Sequence, residues 1–150
     1  LWPGGPSGSS ETWARDHLLV GEAGLWAQMS GADRRHAVAV ARRVDEVLDH
    51  PERAVLAAAL LHDVGKVDSG LGTPARVVAT IVAMVGGERA RSGPGRIGRY
   101  LRHPLIGSDL LSGAGSEPIT VAWAAEHHLS EGHWTVDPVI ARALHVADDD

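Results

Sequence analysis

The sequence contains no cysteine and no phenylalanine, and it has a single tyrosine among its 150 residues. The missing cysteines exclude disulfide bonds, thiolate metal sites and a cysteine nucleophile, and they fit a reducing, cytoplasmic location. Because phenylalanine is absent, the core must consist mainly of Ala, Val and Leu, with five tryptophans as the large side chains. A chain of this length is expected to form one domain.

A long apolar run and an excess of positive charge are also missing. A transmembrane helix needs about 20 consecutive apolar residues. The longest candidate, 54–61, is much shorter, because His62 follows it. The N-terminal stretch LWPGGPSGSS is rich in Gly, Pro and Ser and does not have the pattern of a signal peptide. The formal net charge is −5, so no general attraction to nucleic acid is indicated. We therefore expect no membrane segment and no direct nucleic-acid binding.

What the sequence does contain is a series of helical patterns separated by turn-rich segments. Residues 1–10 are predicted to be a flexible linker or tail, and residues 11–150 a single helical domain. No strand-type alternation of useful length is present, so the predicted fold class is all-α. Pro104 is expected to break or bend one helix. The predicted helices span 11–29, 32–49, 51–64, 74–86, 96–111, 119–129 and 139–149.

Metal-ligand residues interrupt the apolar faces of these helices or lie at their ends. The clearest case is LLHDVGK (60–66), where an imidazole and a carboxylate end an aliphatic run. Burying an unpaired carboxylate costs several kcal/mol or more, so carboxylates among several imidazoles indicate a cation such as Zn, Fe or Mn. In helix 119–129, the spacing places His128 on the same side as Val121 and Ala124. The residues of this kind are His36, His62, Asp63, His103, His127, His128 and Asp148.

Each of these residues also has an ordinary structural interpretation. A single imidazole on an apolar face, such as His36, is more often a hydrogen-bonded core residue. The His62–Asp63 pair could cap a helix, and the His127–His128 pair could be a solvated helix end. Asp148 lies in an acidic terminal run, which is usually solvated. Only the combination of all of them favours a metal site.

The order His…His-Asp…His…His-His…Asp resembles the HD superfamily of metal-dependent phosphohydrolases. The most specific segments are LLHDVGK (60–66), RHPLIGSDLL (102–111) and AAEHHL (124–129), which look most like the HD-GYP branch that hydrolyses cyclic dinucleotides. The GYP loop of that branch is absent, because the corresponding stretch reads LSEGHWTVDP. The resemblance implies a compact bundle of about six to seven helices with a metal site in the core.

The resemblance also implies two divalent transition-metal ions, Fe, Mn, Zn or similar, and a role for each matching residue. The implied ligands of the first ion are His36, His62, Asp63 and Asp148. The implied ligands of a second ion, which Asp63 would bridge to the first, are His103, His127 and His128. The implied catalytic residues are Asp63 and Lys66. Substrate contacts are expected from Lys66, Arg102, His133 and Trp134. The alternative for Lys66 is a solvated helix-end cation, and the alternative for His133 and Trp134 is that they anchor their loop.

The implied reaction is hydrolysis of a phosphoester by a hydroxide that bridges the two ions. The expected substrate is a small phosphorylated molecule, such as a nucleotide or a cyclic nucleotide. One alternative is a di-iron oxygenase, for which the same His/Asp set would serve. Another is a non-catalytic HD sensor or binding module. A homodimer and a position within a longer signalling chain are both compatible with the sequence.

Overall fold

The computed structural model describes residues 4–69 and 103–149, and for 67–69 and 103–104 it describes the backbone only. These ranges form seven α-helices and two 3-10 helices, with no β-strand among them, which confirms the predicted all-α class. Helix 74–86 and the first part of helix 96–111, both predicted, lie outside the described residues. The α-helices are α1 Gly8–Asp16, α2 Val20–Gln28, α3 Gly31–Val47, α4 Arg53–Leu61, α5 His103–Gly113, α6 Pro118–Glu126 and α7 Pro138–Asp149, and the 3-10 helices are Val64–Ser69 and Glu131–His133.

The prediction of a single helix at 11–29 is wrong, because a non-helical turn separates α1 from α2. Leu19 has an extended backbone, with φ −70° and ψ 163°, and its N–H donates to the Glu22 carboxylate at 2.8 Å. α1 begins at Gly8, and the hydroxyl of the preceding residue, Ser7, caps it by accepting a hydrogen bond from Ser10 N. This start lies inside the segment 1–10, whose role as a linker stays a prediction.

α4 is the central helix of the core. All residues from Ala54 to Leu61 are buried, since this aliphatic run can face protein on every side. α3 packs against α4 and α7, and α6 packs against α4 and α5. α5 also packs against the 3-10 helix Val64–Ser69. Through these contacts, the C-terminal ends of α4, α6 and α7 come close to the first half of α3.

Glu22 on α2 is a completely buried carboxylate within this core. Besides the bond from Leu19 N, it accepts hydrogen bonds from Arg53 Nη1 at 3.0 Å and from the Ser116 hydroxyl at 2.6 Å. Arg53 also donates to the backbone carbonyl of His17 at 2.8 Å. The network therefore joins the α1–α2 connection to the start of α4 and to the loop between α5 and α6.

Glu22→Ala is expected to lower the free energy of unfolding by about 2–4 kcal/mol, because it removes the buried acceptor that Leu19 N, the Ser116 hydroxyl and Arg53 share. Urea denaturation monitored by circular dichroism measures the loss. Glu46→Ala, which removes an exposed carboxylate from α3, serves as the control and is expected to change stability by less than about 0.5 kcal/mol. Equal effects of the two substitutions would contradict this account of the core.

Candidate metal centre

Five ligand-type side chains meet where three helix ends approach α3. His62 and Asp63 directly follow α4, and His127 directly follows α6. Asp148 lies in the last turn of α7, and His36 lies in the second turn of α3. The helix ends thus gather residues that are far apart in the sequence.

His36, His62 and Asp148 form the first part of this cluster. His36 Nε2 lies 2.8 Å from Asp148 Oδ1, and His62 Nε2 lies 3.3 Å from the same oxygen. One potential ligand atom from each residue lies within 4.8 Å of the others. Bonds of about 2.0–2.2 Å to one metal ion place neighbouring ligand atoms about 3.0–3.5 Å apart. The spacing of the three side chains therefore fits a common cation.

The two oxygens of Asp63 face different imidazoles. Oδ2 lies 3.2 Å from His62 Nε2, whereas Oδ1 lies 3.3 Å from His127 Nε2. Lys66 Nζ lies 3.4 Å from Oδ2. Asp63 consequently connects the first group to His127, which is the arrangement that a carboxylate shared by two ions requires.

The buried imidazoles of His62 and His127 are oriented by their own backbone. His62 Nδ1 lies 2.8 Å from the Ala59 carbonyl, and His127 Nδ1 lies 3.0 Å from the Ala124 carbonyl. A carbonyl only accepts, so each Nδ1 carries the hydrogen. Among the described residues, both Nε2 atoms are buried without a hydrogen-bond partner: the Asp63 and Asp148 oxygens are close enough for ion pairs but are not aligned for hydrogen bonds. Metal-binding imidazoles have this orientation.

The cluster is strongly polarised. Burial lowers the pKa of His62, but the Asp148 and Asp63 carboxylates outweigh it and raise this pKa to about 10. Burial raises the pKa of Asp63, whereas His127, His62 and Lys66 more than compensate and hold it well below its usual range. His62 above all holds the pKa of Asp148 below its usual range. A proton on His62 therefore sits between two ionised carboxylates, where a cation is favoured.

The remaining sequence-predicted metal ligands have different positions. His128 is exposed, and its ring centroid lies 4.0 Å from that of His127. His103 begins α5, but its side chain lies outside the described residues. The predicted ligation of both residues stays a prediction.

Two of the four predicted substrate contacts lie in the loop after α6. His133 is exposed, and its Nδ1 lies 2.9 Å from the Ser130 hydroxyl. Trp134 is half-buried; its ring centroid lies 5.5 Å from that of Trp123 and 5.4 Å from that of His145. These ring contacts are those expected of a loop anchor. Arg102 lies outside the described residues.

Two residues near the cluster received no role from the sequence. An added Cβ on Gly107 would lie 3.1 Å from Gly65 N, so glycine permits α5 to approach the 3-10 helix that follows Asp63. Glu126 is buried at the end of α6, immediately before His127. The sequence contains a signal for Glu126, because a charged residue ends the apolar run of that helix just as His62 ends the run of α4.

Comparison with protein-family models matches residues 34–149 to the HD domain. The match covers well over half of the chain, so the protein belongs to the HD domain family. The matched range contains all five clustered residues, while α1 and α2 precede it. No curated protein and no solved structure matches the chain. In the part of the chain that is described, no helix is long and apolar enough to cross a membrane.

Proposed function

We propose that the protein is a metal-dependent phosphohydrolase that cleaves a phosphoester, such as a nucleotide, a cyclic nucleotide or a related phosphate. One observation carries the proposal: two buried imidazoles are tied by Nδ1 to backbone carbonyls, and their Nε2 atoms face the carboxylates of Asp63 and Asp148. Membership of the HD domain family supports the same conclusion.

The proposed centre holds two divalent ions. When bound, such ions supply Lewis acidity and lower the pKa of a bound water toward neutrality. Asp63 is the proposed bridge, because its two oxygens face different imidazoles. The proposed ligands of the first ion are His36, His62, Asp63 and Asp148, and those of the second are Asp63, His103, His127 and His128.

The side chains at the cluster differ in exposure, and the difference supports an accessible site. The His36 and Asp148 side chains are 46% and 34% exposed, whereas that of His62 is 2% exposed. Lys66 combines a 47% exposed side chain with its contact to Asp63. We therefore propose that substrate enters on the side of His36 and Asp148, and that Lys66 pairs with a non-bridging phosphate oxygen, with Arg102 as a further cation.

Lys66→Met is expected to lower kcat/KM for a phosphoester by about 10- to 100-fold, because a charge-assisted contact to phosphate is lost. Metal content, measured by atomic emission, is expected to stay unchanged. Arg142→Met is the control: Arg142 is also exposed and pairs with a carboxylate, that of Glu131, at 3.0 Å. An unchanged kcat/KM after Lys66→Met would remove Lys66 from the proposed reaction.

The proposed function is tested by loading metal-free protein with Mn²⁺, Zn²⁺ or, without oxygen, Fe²⁺. Each form is incubated with p-nitrophenyl phosphate, bis(p-nitrophenyl) phosphate, cyclic nucleotides and cyclic dinucleotides. We expect metal-dependent cleavage of at least one class. Loaded protein that cleaves none of them would contradict the proposal. Oxygen-dependent turnover by the iron form would indicate an oxygenase, and binding of less than about one ion per chain would indicate a non-catalytic module.

A further inference from the structure

The loop between α6 and α7 is attached to the end of α6 by a buried carboxylate. Glu126 is 8% exposed. Its Oε1 accepts hydrogen bonds from Thr135 N at 2.6 Å and from Val136 N at 3.3 Å. Its Oε2 accepts a hydrogen bond from the Thr135 hydroxyl. Three donors from two consecutive residues therefore converge on one side chain.

These bonds fix the backbone of the loop at one point. A buried carboxylate is strongly unfavourable unless donors replace the water that it loses, and here all the donors come from the loop. Removing Glu126 would leave the N–H groups of Thr135 and Val136 without their acceptor. Val136 is buried, and a buried N–H group is rarely left unpaired in a folded protein, so the loop would have to move to give this group an acceptor or water.

The same loop connects the helices that present His127 and Asp148. Glu126 directly precedes His127, and the chain after Val136 leads into α7. Trp134, next to Thr135, packs against Trp123 of α6 and His145 of α7. The loop is thus in contact with both helices, and a change in its position would be transmitted to both parts of the cluster.

We propose that Glu126 is a positioning residue of the metal centre. Its hydrogen bonds to Thr135 and Val136 hold the neighbouring Trp134 against Trp123 of α6 and His145 of α7. Since His145 lies one turn before Asp148, this contact keeps His127 and Asp148 at the separation at which they serve one site. This inference rests on the proposed metal-binding function, and it concerns a residue that contacts neither metal nor substrate.

Four variants test the inference: Glu126→Ala, Glu126→Gln, Thr135→Val and Thr120→Val. Glutamine keeps one oxygen as an acceptor for the backbone N–H groups and has an NH₂ group that can donate to the Thr135 hydroxyl, whereas alanine has neither. Thr120→Val is the matched control, since it removes a buried hydrogen bond to the Ala54 carbonyl from the same helix, on the side that faces α4. Zn²⁺ affinity is measured by competition with a chelator, and the coordination geometry by the visible absorption of the Co²⁺ form.

Glu126→Ala is expected to weaken Zn²⁺ binding by about 10- to 100-fold and to alter the Co²⁺ spectrum, as loss of a supporting residue does at metal sites. Glu126→Gln is expected to keep the wild-type Co²⁺ spectrum and a Zn²⁺ affinity within about threefold of wild type. Thr120→Val is expected to lower the melting temperature while leaving affinity and spectrum unchanged. If Glu126→Ala does not fold, Thr135→Val serves as the test instead. It removes one of the three hydrogen bonds to Glu126 and is expected to weaken Zn²⁺ binding by roughly two- to tenfold.

The inference is overturned if wild type binds Zn²⁺ and Glu126→Ala or, in its place, Thr135→Val binds it equally well. It is also overturned if Thr120→Val weakens binding as much as Glu126→Ala, because the effect would then be one of general stability. A wild-type protein that binds no Zn²⁺, Co²⁺ or Mn²⁺ would refute the proposed function itself and this inference with it.

Discussion

Replacing Asp63 with alanine is expected to remove the proposed hydrolytic activity and to weaken metal binding by more than about 100-fold. The reason lies in the position of its carboxylate, whose two oxygens face His62 and His127 separately. Without Asp63, the two imidazoles lose the negative charge between them, and the proposed two-ion centre would lose the carboxylate that joins its two halves.

The control for Asp63→Ala is Asp45→Ala, which removes another carboxylate that pairs with a histidine, His50, at 3.1 Å. Asp45 lies outside the cluster, so metal content and turnover are expected to stay at the wild-type level. Asp63→Asn covers the case in which alanine impairs folding, since asparagine keeps the shape and loses the charge. Turnover that persists in Asp63→Ala and Asp63→Asn would refute the proposed bridging role of Asp63.

Metal binding is expected to strengthen about tenfold for each pH unit between pH 7 and pH 9, because binding displaces one proton. The proton is that of His62, whose pKa of about 10 in the metal-free protein keeps it protonated over this range. Asp63 and Asp148 release no protons there, because their pKa values lie below the usual carboxyl range. Isothermal titration in buffers of different ionisation enthalpy measures the number of protons released.

The stability of the metal-free protein is expected to show the opposite trend with pH. The pKa of His62 is raised from 6.5 to about 10 on folding, so its contribution to stability is complete below about 6.5 and disappears as the pH rises through 10. The Asp63 pKa is lowered from 3.8, so that contribution is present above 3.8 and is lost as the pH falls further. Thermal melting should therefore occur at lower temperature at pH 9.5 than at pH 6 without metal.

An affinity for Zn²⁺ that does not change with pH would contradict the assignment of His62 as a ligand.

The all-α class was accessible from the sequence because the local patterns are strong. The aliphatic run 54–61 lies within the predicted helix 51–64, and the structure has α4 at Arg53–Leu61. The break between α1 and α2 was not predicted from the sequence. Glu22 supports it locally by accepting a hydrogen bond from Leu19 N, but its other partners, Arg53 and Ser116, are remote in the sequence. Local propensity contains no information about such contacts.

The metal cluster could be predicted in composition but not in detail. The sequence shows that His62, Asp63 and His127 interrupt or end apolar segments. In the predicted helix 119–129, however, the spacing places His128 on the apolar side. The structure buries His127 and exposes His128. α6 is apolar almost all round, so periodicity cannot determine which of two adjacent histidines faces the core. Glu126 was missed for a related reason, because its partners lie in a loop without a periodic pattern.

The central claim is that His62 and His127 bind a divalent cation through Nε2, and imidazole NMR tests it most directly. Protein labelled with ¹⁵N at histidine is titrated with diamagnetic Zn²⁺, and long-range ¹H–¹⁵N spectra report each ring nitrogen. The account predicts that both Nε2 resonances move to the range of metal-bound imidazole, while both Nδ1 atoms stay protonated against the carbonyls of Ala59 and Ala124. Nε2 resonances that remain unchanged at saturating Zn²⁺ would contradict it.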